Sequence, residues 1–311
     1  MPRCSVIVVT HNSGLHIEAC LRALANQDCE IVVVDNGSED NTPELVRELG
    51  NSVALKFEAF RKNRGFAAGV NAGVASATGD VFLLLNPDAV AEPGAIQALL
   101  DCLDRTGASA IGGALVGDDG EVEKGFAFRR QPTAGSLLFE VLLINTMWRR
   151  NTVNRRYRCL DADYAAEQSV EQPAGACLAV KRDAWDAVGG MDERFFPVWF
   201  EDADLCSQLL QAGMKIVYCP AARFVHAGAH SVGGLAFADK QLYWYANMLR
   251  YARKHFRGWQ VVALRLGIVF GMALRGMSSL LFGLPRGVPR GLALRAYSGV
   301  ALMAAGLKSE S

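Results

Sequence analysis

Three stretches of unbroken apolar residues constrain this chain more than anything else in it: CSVIVVTHN at 4–12, EIVVVDNGSED at 30–40 and DVFLLLNPD at 80–88. A strand with one wet face alternates in polarity, whereas a strand that never alternates is covered on both sides. Helical spacing fills the gaps, first in LHIEACLRALANQ and then in TPELVRELG. In the second, Thr42 reads as the N-cap, Pro43 as the first helical residue and Gly50 as the stop. A further strand is expected at SVALKF, a loop and helix in NRGFAAGVNAGVASATG, and a helix in PGAIQALLDCLDRTG. Strands separated by helices pair in parallel through right-handed crossovers, so the first 115 residues read as an α/β sheet flanked by helices. Ligands of such sheets gather at the carboxyl ends of the strands, where HN, DNGS and NPD all fall.

From Gly112 to Gln172 the pattern weakens; GDDGEVEKG reads as a turn and WRRNTVNRRYR as a variable excursion. Order returns at PAGACLAVKRDAWDAVGGMDERFFPVWFEDADLCSQLLQAGMKIVYCP. It reads as strand, short helix closed by Gly189-Gly190, loop, helix closed by Gly213, and strand. Charge then divides the chain. Residues 1–239 hold 21 Lys/Arg and 31 Asp/Glu (21 − 31 = −10), while 240–311 hold 11 Lys/Arg and only Glu310 (11 − 1 = +10). The expected organisation is one domain over 1–239, with halves at 1–115 and 170–235, and a basic amphipathic helical tail at 240–311. The eight cysteines are scattered without a CxxC pair, as reduced thiols of a cytoplasmic protein would be. The opening MPRCSVIVVTHN has an apolar run one strand long and no small-residue cleavage site, unlike a secretion signal.

The strand tips carry the chemistry. Asp35 in DNGSED fits either a plain turn or recognition of a nucleoside through a base N–H or ribose hydroxyl. A dinucleotide-binding sheet would need GxGxxG after the first strand, where this chain has VVTHNSG. NRGFAAGVNAG has small residues suited to close backbone approach to a diphosphate, with Arg64 adding positive charge; taken alone, plain packing is the stronger explanation of them. In LLLNPDAV the turn offers one carboxylate, Asp88, and one amide, Asn86, as a seat for a divalent cation.

Taken in order, VTHN, VVVDNGSED, NRGFAAGVNAG, LLLNPDA and GGMDERFFPVWFEDADLC, followed by a His and a Ser, resemble inverting family-2 glycosyltransferases of GT-A fold. The rhamnosyltransferase-like branch that builds cell-surface polysaccharide is the most similar, and the likeness covers roughly residues 4–235. It implies a Rossmann-like mixed sheet and a nucleotide-diphospho-sugar donor held by Thr10, Asn12, Asp35, Asn36, Asn63, Arg64, Gly65, Asn71, Asn86 and Asp88. It also implies a divalent metal, Mg2+ or Mn2+, on Asp88 and on His226 of RFVHAGAHS, with His230 the less favoured neighbour. The donor implied is deoxythymidine-diphosphate rhamnose. Galactofuranose, glucose or an N-acetylhexosamine remain alternatives, as does a membrane-docked scaffold without turnover.

Inversion requires a carboxylate that takes the acceptor's proton while the leaving group departs opposite. FEDADLC sets Glu201, Asp202 and Asp204 at a helix start, where the dipole alone also justifies acids. By resemblance Asp202 is the base, and Glu201 orients the acceptor or supports the loop. Trp199 and Phe200 offer an aromatic surface for a sugar, or simply bury each other. The tail places Arg250, Arg253, Lys254 and Arg257 at helical spacing beside VVALRLGIVFGMALRGMSSLLFGL, which Arg265 and Arg275 interrupt. A mid-bilayer arginine is costly, so the tail is expected to lie on an anionic membrane surface, peripheral on the inner face of the cell membrane. An oligomer interface is the other reading, and nucleic acid is not expected as a partner. The acceptor implied is a glycan or a polyprenyl-diphosphate-linked sugar.

Overall fold

The computed structural model describes residues 3–228, 234–283 and 285–308. In chain order the elements are β1 (Cys4–Thr10), α1 (Ile17–Ala25), β2 (Glu30–Asp35), α2 (Thr42–Leu49), β3 (Leu55–Ala59), α3 (Phe66–Ser76), β4 (Val81–Leu85), β5 (Ala89–Ala91), α4 (Ala95–Thr106), β6 (Ala110–Val116) and β7 (Phe128–Arg129). Three short helices follow: α5 (Ala134–Val141), α6 (Ile144–Met147) and α7 (Thr152–Tyr157). Then come β8 (Gln168–Ser169), β9 (Gln172–Pro173), β10 (Cys177–Lys181), α8 (Arg182–Val188), α9 (Glu201–Gln211) and β11 (Ile216–His226). The chain closes with α10 (Phe237–His255), α11 (Gly258–Phe282) and α12 (Arg290–Ala305).

The first compact unit comprises 1–131, 158–197 and 201–233. Its sheet runs β3-β2-β1-β4-β10-β6-β11-β5, with β8 also paired to β11. As the apolar runs require, β1, β2, β3 and β4 are parallel, with Thr10 beside Asp35 and Val8 beside Leu85. The sheet becomes mixed because β10 enters antiparallel between β4 and β6, with Cys177 beside Leu85. Helix α3 lies almost on the sheet: a Cβ at Gly69 would stand 2.6 Å from Val9 Cγ1, and one at Gly73 would stand 2.5 Å from Ile7 Cγ2. Those two glycines serve packing, one of the alternatives left open above. One local expectation fails. Thr42 is the first residue of α2 rather than its cap, and no side chain caps that helix from Asn41. The Thr42 hydroxyl instead accepts from Ser13 N–H at 2.8 Å, holding the loop after β1 against the start of α2.

The second unit comprises 132–157, 198–200 and 234–311, a division different from the expected break at 239/240. The physical reason is burial. Leu137 and Val141 of α5 share one apolar core with Tyr245, Leu249, Leu264, Ile268, Met272, Tyr297 and Val300 of the last three helices. A helix face packs with whatever covers it, however distant in sequence. Gly271 allows the closest approach, since a Cβ there would fall 2.1 Å from the Val141 carbonyl oxygen. The two arginines of α11 turn inward: Arg265 donates to Ala304 O at 2.6 Å, and Arg275 donates to the carbonyls of Val141 and Glu140. Each guanidinium thus donates to carbonyls in the last turn of a neighbouring helix, where the intrahelical ladder runs out. The outer face of α11 is left to Trp259, Val262, Leu266, Phe270, Met277, Leu280 and Leu281, all exposed.

Candidate active site

The strand tips of the first unit converge through their own hydrogen bonds. Asp35, 2% exposed, accepts from the Thr10 hydroxyl at 3.0 Å and from both the N–H (3.1 Å) and the hydroxyl of Ser38. Three of roughly four acceptor directions on this carboxylate are therefore filled by protein. Asn12 sits at φ 53° and accepts from the N–H of Glu39 (2.8 Å) and Asp40 (3.4 Å), which fixes the turn after β2. Asn36 and Asn63 brace the next loop. The Asn36 amide donates to Asn63 Oδ1 at 3.2 Å, and their carbonyls accept from Arg64 N–H and Gly65 N–H, each at 2.8 Å. The Arg64 guanidinium lies 4.5 Å from the centroid of the Phe60 ring. Gly65 holds φ 91° at the start of α3, where a Cβ would press to 3.1 Å from the Phe196 ring. Asn71 stands apart from these residues. Its amide donates to Met191 O (2.9 Å) and Glu193 Oε1 (3.0 Å) and accepts from Met191 N–H (3.1 Å), so it clasps the 190–193 loop.

The second cluster forms where β4 ends. Asp88 is 4% exposed, and neither of its carboxylate oxygens has a hydrogen-bond partner. Burying such a group without partners is expensive, which marks the position as prepared for something else. The β5–β11 register sets His226 beside Ala89, and its Nε2 lies 3.5 Å from Asp88 Oδ1. The Nδ1 side of that ring meets Glu123, 3.2 Å from each carboxylate oxygen, and Phe126 stacks on its face at 5.3 Å. Sequence reasoning missed Glu123; a turn was legible in GDDGEVEKG, its neighbour across the sheet was not. Asp88 and His226 suit a hard divalent cation as an oxygen and an imidazole ligand, with diphosphate oxygens and water left to complete the shell. Among the described residues no three His, Cys, Asp or Glu side chains form a complete metal site, so the chain alone supplies only part of one. His230 lies outside the described residues.

Asp202 reaches the same neighbourhood through one short span. Its Oδ2 accepts from Gly175 N–H at 3.2 Å, and a Cβ at Gly175 would come within 3.1 Å of Asp202 Cβ. One residue on, the Ala176 carbonyl accepts from Asn86 N–H at 3.0 Å. Antiparallel β10 thus carries a single strand end that touches both the NPD turn and the first turn of α9. Asp202 is partly exposed, whereas Glu201 and Asp204 are buried. Asp204 Oδ2 accepts from Gln208 at 2.9 Å, a bond along its own helix. Just before α9, Trp199 and Phe200 hold φ 81° and 74°, left-handed values that strain non-glycine residues. Within the second unit the Phe200 ring packs against Trp244 and Tyr251, at 6.2 and 5.6 Å.

Comparison with known proteins bears on the family and the fold. The family model of glycosyl transferase family 2 matches residues 5–158, and that of the N-terminal domain of galactosyltransferase matches 155–230. An N-acetylglucosaminyl-diphospho-decaprenol L-rhamnosyltransferase of Mycobacterium tuberculosis is 32% identical over 286 residues, covering 87% of this chain and 90% of that protein. Among solved structures, TarS 1–349 of S. aureus superposes with a TM-score of 0.53 at 17% identity, over 98% of this chain and 92% of that one. The mannosyltransferase PcManGT of Pyrobaculum calidifontis, in complex with GDP-Man and Mn2+, gives 0.55 at 17% identity, over 98% and 85%. The mixed sheet flanked by helices is the GT-A fold, and the chain belongs to glycosyltransferase family 2.

Proposed function

We propose that this glycosyltransferase moves a sugar, L-rhamnose from its deoxythymidine-diphosphate form, onto a lipid-linked glycan acceptor with inversion at the anomeric carbon. The observation that carries the chemistry is the buried, unpartnered carboxylate of Asp88 facing His226, one strand end away from Asp202. Asp88 and His226 would hold a divalent cation, which as a Lewis acid neutralises charge on the departing diphosphate. Thr10, Asn12, Asp35, Asn36, Asn63, Arg64 and Gly65 shape the nucleotide seat, and Asn86 lies at the sugar end. Asp202 takes the proton of the acceptor hydroxyl, held toward it by the Gly175 amide. Glu201 and Asn71 support the α9 turn and the 190–193 loop. The choice of rhamnose and of a polyprenyl-diphosphate-linked acceptor rests on the similarity to the mycobacterial enzyme. Incubation with a panel of nucleotide sugars and Mn2+ or Mg2+ should release nucleotide fastest from dTDP-rhamnose. Equal, metal-independent rates with every donor would refute the reading.

A lipid-linked acceptor suits the outer face of α11. This helix is 25 residues long with mean hydropathy 1.5 over its most apolar stretch, sufficient by length and composition to cross a membrane. Its arginines are already committed to carbonyls on the inner side, while its exposed face is apolar throughout and Arg257, Arg286 and Arg290 stand exposed beyond its ends. An apolar stripe flanked by cations fits a helix lying in the interface of an anionic leaflet, on the cytoplasmic side. Deleting the tail would strip the cover from α5, so substitutions on the face make the better test. Leu266→Glu with Phe270→Glu should abolish flotation with phosphatidylglycerol vesicles while leaving the melting temperature unchanged. A loss of self-association instead, with flotation intact, would assign the face to a second copy of the chain.

A further inference from the structure

We infer that Glu123 is a positioning residue for the proposed metal site: it fixes the tautomer and ring orientation of His226, so that Nε2 presents its lone pair toward Asp88. The inference rests on the proposed metal role and names a residue that neither the motif pattern nor the comparisons assign. Glu123 turns both carboxylate oxygens to the ring nitrogen at 3.2 Å, an arrangement that favours the Nδ1–H tautomer. In the neutral ring, Nε2 is then an acceptor, and it faces a second acceptor, Asp88 Oδ1, at 3.5 Å. Two acceptors pointed at one another across a buried gap repel, and either a metal cation or a second proton on the ring removes the conflict. Histidine ligands of metals are commonly held this way from behind by a carboxylate.

The fold invests in this arrangement. Glu123 N–H donates to Leu115 O at 2.9 Å, which ties the turn back to β6, the strand beside β11 that carries His226. The N–H groups of Phe126 and Ala127 both donate to Glu123 O at 3.0 Å, closing a tight turn that also stacks Phe126 on the imidazole. Gly125 N–H donates to the buried Tyr164 hydroxyl at 2.9 Å, anchoring the turn to the Phe128–Tyr164–Tyr218 aromatic cluster. One turn therefore grips the ring at its edge and its face and leaves the opposite edge to the Asp88 side.

The test measures Mn2+ binding by electron paramagnetic resonance in the presence of dTDP, for wild type, Glu123→Leu and Glu123→Gln. Glu123→Leu should weaken Mn2+ binding by roughly 10–100-fold, while dTDP binding without metal and the melting temperature stay unchanged. Glu123→Gln keeps an oxygen that accepts from Nδ1–H and should recover most of the affinity, which a merely structural contact would not explain. On the metal-free protein, 15N NMR of the His226 ring, assigned with His226→Ala, should show the Nδ1–H tautomer in wild type and a tautomer mixture in Glu123→Leu. Wild-type Mn2+ affinity in Glu123→Leu overturns the role of Glu123 alone. Absence of Mn2+ uptake by the wild type overturns the metal reading and this role with it.

Discussion

Replacing Asp202 with Asn is expected to cut sugar transfer by roughly 10²–10⁴-fold, the usual weight of a general base, while the donor still binds as before. The carboxylate accepts from two backbone N–H groups, Gly175 at 3.2 Å and Ala203 at 2.7 Å; the amide keeps an oxygen for one of them and loses the ability to accept a proton. Because the proton moves only as the acceptor attacks, the loss should fall on kcat and leave KM for the donor near its original value. Isothermal titration with dTDP-sugar and a transfer assay on the same preparation separate the two effects. Turnover near the wild-type rate would place the base elsewhere, with buried Asp204 poorly placed to inherit the task because its carboxylate already accepts from Gln208.

The second large effect runs in opposite directions for two measurements. Asp88→Ala should lower metal-dependent transfer by roughly two orders of magnitude or more, since Lewis-acid assistance is worth several kcal/mol and each decade about 1.4 kcal/mol. The same substitution should stabilise the metal-free protein by about 1–3 kcal/mol, because it deletes a buried carboxylate whose oxygens have no partners. Thermal melts in chelator, set beside transfer rates in Mn2+, check both halves. A variant that is less stable and fully active would show that Asp88 serves the fold rather than the chemistry.

The parallel core and the strand tips were legible because both follow from local pattern. Continuous apolar runs dictate strands covered on both faces, and polar residues directly after them must lie at the sheet edge. The same logic located α8 and α9, whose ends at Gly189 and Gly213 hold φ 77° and 75° as their stop signals require. What escaped depends on partners far away in sequence. Nothing in LLFEVLL announces that Leu137 and Val141 pack under α11, or that Arg275 will cap α5 across a separation of 134 residues. Thr42 had the composition of a cap, yet its hydroxyl serves the loop at Ser13, a contact made only once β1 and α2 are neighbours. Glu123 belongs to this class as well. Its residue type suits a solvated turn, and only the pairing of β6 with β11 turns it into a support for the His226 ring.

The strand end at Gly175-Ala176 bonds Asp202 on one side and Asn86 on the other, so the proposed proton acceptor and the proposed donor seat hang from one short bracket. Any attempt to graft a new acceptor specificity by splicing in another member's C-terminal half must keep that bracket whole. Crossover points inside 173–177 should give inactive hybrids even when both parents are competent, whereas junctions in the turn at 117–121, upstream of Glu123, spare it.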